Sequence, residues 1–212
     1  VIDYFSALKY PISNVKSFII GAIVTFLSIF MFPYFFLSGY LVRVIQDTNK
    51  GSEFLPEWED WKGLFKDGFY VIAIQVAYLL PSLLLYAAAT LATPITLSTA
   101  LASNALPEIG TAAIVLILFS SFFMLAAFFL LPVALINFSL TKDFRKAFDL
   151  HAIARTVLTS PLHYVLNLAV GAFVFLLFIV IAPFLALVIA ALFFYPLAFF
   201  YRLMAQWFTE LP

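Results

Sequence analysis

Two long stretches of this sequence, Gly68 to Thr93 and Thr111 to Phe138, contain no charged residue at all. A helix needs roughly 20 apolar residues to cross a bilayer, and each stretch exceeds that length. Two further apolar regions, Ile12 to Ile45 and Leu162 to Phe208, are interrupted only by isolated charges such as Lys16, Arg43 and Arg202. The second of these is long enough for two passes. Charged residues make up 10% of the chain and mean hydropathy is +1.11. A soluble domain carries about 25% charged residues, so lipid must solvate most of this surface. The fold class is therefore all-α, a polytopic transmembrane helical bundle, with residues 1–212 forming a single integral membrane domain.

Loop charge gives direction. All eleven basic residues can be placed on one side of the membrane. Gln46 to Asp67 holds Lys50, Lys62 and Lys66, and Ser139 to Ser160 holds Lys142, Arg145, Lys146 and Arg155. Pro94 to Gly110 holds no Lys or Arg. The positive-inside rule puts the first two segments in the cytoplasm and the third outside. Leu162 to Phe208 then forms a hairpin turning near Ala182 and Pro183, which returns Arg202 to the cytoplasm. The N-terminal region admits two readings. A hairpin turning at Phe32 and Pro33 satisfies the charge rule for every basic residue and gives six spans with both termini cytoplasmic. One long kinked helix gives five. The six-span reading is favoured, in a prokaryotic cell (inner) membrane.

Six spans expose a threefold pattern, each unit an amphipathic helix followed by a hairpin, with units 1–50, 51–141 and 142–212. The alternative is that any six-helix protein with interfacial segments shows this pattern. In the second segment Trp58, Trp61, Leu64, Phe65 and Gly68 recur at helical spacing, with Pro56 at a first helical position and Glu57, Glu59 and Asp60 in the first turn. In the third, Ala147, Leu150, Ile153, Ala154 and Val157 form an apolar stripe, and Arg145 and Asp149 are spaced to pair. Both segments are expected to lie flat on the inner leaflet.

The spans hold no Asp, Glu, Lys or His well inside. Gln75, Asn137 and Asn167 are their strongest polar groups. Intramembrane ionisable residues mark proton relays and ion sites, so a pump or ion-coupled carrier is disfavoured. Pro81, Pro132 and Pro196 fall within spans, where they kink helices and where broken helices form transporter sites. No nucleophile elbow, P-loop or dinucleotide fingerprint is present, and His151 and His163 lack metal-ligand spacing. The acidic residues Glu57, Glu59 and Asp60 suit helix capping at least as well as cation binding. No catalytic, cofactor or metal residue is assigned, and the chain is read as not an enzyme. Net charge is zero, so nucleic acid is not an expected partner.

The segment Gly39 to Phe69 is the most distinctive. Gly39-Tyr40-Leu41 with Arg43, then Leu55-Pro56-Glu57-Trp58 with Trp61, then Asp67-Gly68, resembles the signature of an uncharacterised prokaryotic family of membrane proteins. Phe144 to Leu150 fits the same family's aromatic and basic cytoplasmic segment. A looser likeness, in topology only, is to Yip1-type domains. The resemblance implies fold and location but no activity. Gly39 permits close helix approach, and Arg43 is expected to reach either a lipid phosphate or the acids at Glu57 to Asp60, folding the loop under the bundle. The functional expectation is a non-enzymatic scaffold or accessory subunit of a larger membrane complex. Its partners are the lipid bilayer and other membrane proteins or further copies of itself. Interaction residues are Arg43, Glu57, Trp58, Asp60, Trp61 and Arg145. A small-molecule transporter or channel component is the alternative.

Overall fold

The computed structural model describes residues 3–92, 110–181 and 189–210. Among them are eight α-helices: α1 (Tyr4–Lys9), α2 (Val15–Leu27), α3 (Phe32–Asn49), α4 (Trp61–Ala92), α5 (Thr111–Thr141), α6 (Leu150–Thr159), α7 (Pro161–Ile181) and α8 (Ile189–Thr209). Short 3-10 turns occupy Tyr10–Ile12, Ser28–Phe30 and Phe144–Phe148. No strand occurs among the described residues. Side-chain oxygens begin several helices by accepting otherwise unpaired N–H groups. Asp3 accepts from Phe5 and Ser6, Asn14 from Ser17, and Asp149 from Ala152.

Three helices are long and apolar enough to cross a membrane: Trp61–Ala92, Thr111–Thr141 and Pro161–Val180. The pair Tyr4–Ile12 and Val15–Leu27, bent by 78°, makes a fourth if counted as one span. By length and composition the described helices thus supply three or four spans where the sequence suggested six. The shortfall lies partly in the N-terminal hairpin. At 1.5 Å per residue, the 13 residues of α2 reach only about 20 Å. The reversal into α3 falls at Met31, with φ 62°, one residue before Phe32. Pro33 has no N–H to lose in the first helical turn, so α3 starts there and the turn is displaced upstream. The expected turns at Ala182–Pro183 and within Pro94–Gly110 lie outside the described residues, Gly110 excepted.

The two interfacial helices differ from expectation. Pro56 to Asp60 is not helical, and α4 begins only at Trp61 and continues unbroken into the apolar stretch. Asp60 takes φ +46° and accepts from the Gly63 N–H, starting α4 as a cap rather than lying in its first turn. The third segment breaks at Asp149, which caps α6. Arg145 and Asp149 therefore lie on separate elements and lose the helical register that would pair them. Of the predicted stripe, Ala147 and Ile153 are buried, whereas Leu150 is exposed.

The chain forms two compact units, Val1–Ile74 with Pro132–Pro212, and Gln75–Leu131. In the first unit α8 is the axial element, packed against α1, the Tyr10–Ile12 turn, α2, α3 and α7. Its Phe194, Ala198, Phe199, Leu203, Met204, Ala205 and Trp207 are all buried. Gly21 and Gly171 accommodate rings of α8, since a Cβ at either would overlap Phe194 or Phe200. In the second unit the Ser82 and Ser120 side chains pair at 3.1 Å, and each also donates to the other's carbonyl. Buried small residues extend that contact at heptad spacing, to Ala89 along one helix and to Ala113 and Ala127 along the other. Small residues at this spacing let two helices pack closely in a left-handed sense.

Candidate functional site

The Gly39 to Gly68 region is held together by contacts between residues far apart in sequence. A Cβ on Gly39 would overlap the Leu64 carbonyl, and one on Gly68 would overlap the Phe35 carbonyl. α3 and α4 thus cross backbone to backbone through two glycines. The crossing fixes where the connecting loop must run. Tyr40, one residue past Gly39, stacks on the Trp58 ring with centroids 3.9 Å apart and planes 5° from parallel. Its hydroxyl donates to the Pro56 carbonyl at 2.8 Å. The Trp58 indole N–H donates to the Ser17 carbonyl at 2.9 Å, and the Leu55 N–H donates to Ser13 Oγ. Leu55, Pro56 and Trp58 are buried.

Arg43 closes the loop from its outer side. Its guanidinium donates to the Glu59 carbonyl at 2.6 Å and the Asp60 carbonyl at 3.4 Å, and lies 3.5 Å from the Asp60 carboxylate. The contact between Arg43 and the acidic loop is therefore present, mainly through main-chain oxygens. Glu57 and Glu59 are exposed, and Trp61 is half exposed with its ring against Phe36. Trp58 faces inward at 7% exposure, which makes it part of the core rather than a headgroup anchor. Arg145 belongs to the Phe144–Phe148 turn, where its N–H is capped by Asp143.

Two polar clusters went unread in the sequence. Arg202 is buried, with its guanidinium 4.6 Å from the Tyr10 ring centroid and donating to Thr48 Oγ1 and the Ser52 carbonyl. The Tyr10 ring thus meets the cation through its π face. Around α1, the Tyr4 hydroxyl donates to Asn167 Oδ1 and Gln206 donates to Ser6 Oγ. Composition could not reveal either cluster, because each depends on which faces of α7 and α8 turn inward.

The described residues thus include apolar helices compatible with a membrane and, within the first unit, a loop stapled beneath the crossing of α3 and α4. The chain belongs to DUF4013, a protein family of unknown function, whose model matches residues 23–194. No curated protein and no solved structure matches it.

Proposed function

We propose that this chain is a non-enzymatic scaffold or accessory subunit of a larger complex in a prokaryotic cell membrane, crossing six times with both termini in the cytoplasm. The carrying observation is the Gln75–Leu131 unit. Its seam is made of small residues, while Leu83, Leu84, Phe119, Phe122 and Leu125 stay exposed. A groove of about 680 Å³ runs along it, with Ser82 and Ser120 beneath and Leu83, Tyr86, Met124 and Phe128 in the walls. Both serines are already hydrogen-bonded to each other, so the groove asks for apolar packing rather than a polar substrate. A transmembrane helix of another subunit supplies it.

The polar groups elsewhere support the same reading. Asn167, Gln46 and Arg43 are engaged in joining elements. α4, α5 and α8 run through Pro81, Pro132 and Pro196 without a break, unlike the interrupted helices of transporter binding sites. The chain has no cysteine, so single introduced thiols report cleanly. L84C and F122C are expected to crosslink to a stoichiometric partner in native membranes. A lone monodisperse protein with neither crosslink overturns the scaffold reading. Labelling of S6C by an impermeant reagent from outside overturns the six-span arrangement.

A further inference from the structure

We infer that the pocket between the start of α4 and the end of α5 binds the headgroup of a zwitterionic phospholipid, one with a phosphodiester and a primary ammonium. The pocket has a volume of about 420 Å³ and is lined by Lys66, Asp67, Tyr70, Phe138, Lys142, Asp143 and Phe144. Its position follows from the sequence. On α4 the last charge is Asp67 and the uncharged stretch starts at Gly68, while on α5 the apolar stretch ends at Phe138 and the first charge, Lys142, comes just after the helix ends at Thr141. The pocket therefore straddles the boundary between hydrocarbon and headgroup. A ligand there must be polar at one end and apolar at the other.

The lining sets the headgroup charge. Two ammonium groups, Lys66 and Lys142, face two carboxylates, Asp67 and Asp143, so the walls are balanced. Lys142 is tied to Asp67. Lys66 is exposed and carries no ion pair among the described residues, which leaves it for a phosphate oxygen. Asp143 offers a carboxylate to the ligand's ammonium. The rings of Tyr70 and Phe144, 6.0 Å apart, add aromatic surface that favours a cation. An anionic lipid would satisfy the lysines but would leave Asp143 facing like charge.

The test is native mass spectrometry of the whole chain released from nanodiscs of equal phosphatidylethanolamine and phosphatidylglycerol. One phosphatidylethanolamine is expected to be retained in preference. K66Q/D143N is expected to lower that retention about tenfold, as loss of one solvent-exposed ion pair at each end of the headgroup implies. Asn at 143 still offers an acceptor to the Arg145 N–H, so the turn is kept, and unchanged melting of the variant checks this. K50Q, outside the pocket, is expected to retain lipid as the unmodified chain does. Preference for phosphatidylglycerol, equal retention of both lipids, or full retention by K66Q/D143N overturns the inference. Displacement of the lipid by soluble glycerophosphoethanolamine assigns the site to a free headgroup and overturns it too.

Discussion

Replacing Arg43 by Ala separates two accounts of how the loop is held. If the ion pair with Asp60 held it, D60N would open the loop as far as R43A. The geometry ranks them differently. The carboxylate is 3.5 Å away and its side chain is 68% exposed, so water and salt screen it. Such pairs contribute about 0–1 kcal/mol. The Glu59 carbonyl, at 2.6 Å, receives a charge-assisted bond from a guanidinium that is only 21% exposed. Bonds of that kind contribute about 1.5–3 kcal/mol, and partial exposure lowers this to about 1–2. R43A should therefore raise the open-loop population about 5–30-fold. D60N should change it about twofold or less, because Asn also tolerates a positive φ and still caps Gly63. The loop carries its own reporters at Glu53, Glu57 and Glu59. A Glu-specific protease, used where opening is fast relative to cleavage, reads the open fraction. Equal cleavage of R43A and the unmodified chain would refute the reasoning, as would a D60N loop opened as far as R43A.

Trp58→Ala removes a buried ring and is expected to cost about 3–5 kcal/mol in thermal unfolding. Trp58→Phe keeps the stack on Tyr40 but removes the indole donor to the Ser17 carbonyl, which α2 still engages, at about 0.5–1.5 kcal/mol. Gly39→Ala and Gly68→Ala each place a methyl against main chain, so neither should elute as a monodisperse species in size-exclusion chromatography. Gly51→Ala meets open space and bears only the strain of its φ of +81°, about 1 kcal/mol, and should elute normally. Ser82→Ala with Ser120→Ala should cost about 1 kcal/mol or less by melting, and either single change less still, because the remaining hydroxyl keeps the opposite main-chain carbonyl as its acceptor.

The sequence placed the apolar helices and the close approach at Gly39 because both depend on composition and on a single missing side chain. It also offered the acidic loop, beside a lipid phosphate, as the partner of Arg43, since both lie at the same depth, and the loop is what Arg43 meets. It misread Pro56 to Asp60. Acids and aromatics at helical spacing looked amphipathic, yet Trp58 gains more by stacking on Tyr40 and bonding to Ser17 than by lying on a helix face. That gain comes from residues 18 and 41 positions away, which no local pattern contains. The small-residue seam was legible in principle. Ser82 and Ala89, with Ala113, Ser120 and Ala127, repeat at seven. The surrounding Phe and Leu residues dominate the hydropathy signal and obscure that repeat.

The basic residues illustrate what a charge rule can and cannot carry. The positive-inside rule assigns a side because moving a cation through hydrocarbon is costly. That cost is the same whether the cation then meets a lipid phosphate or the protein's own carbonyls. Arg43 is spent on the Glu59 and Asp60 carbonyls, Lys142 on Asp67, and Arg202 on Ser52 and the Tyr10 ring. Each of these ties a loop or helix end to a neighbour in its own unit. Lys66, by contrast, stands exposed beside a pocket at the hydrocarbon edge. Counting charges treats these four residues alike. Their partners separate the three cations that tie elements of their unit together from Lys66, which has no ion pair among the described residues.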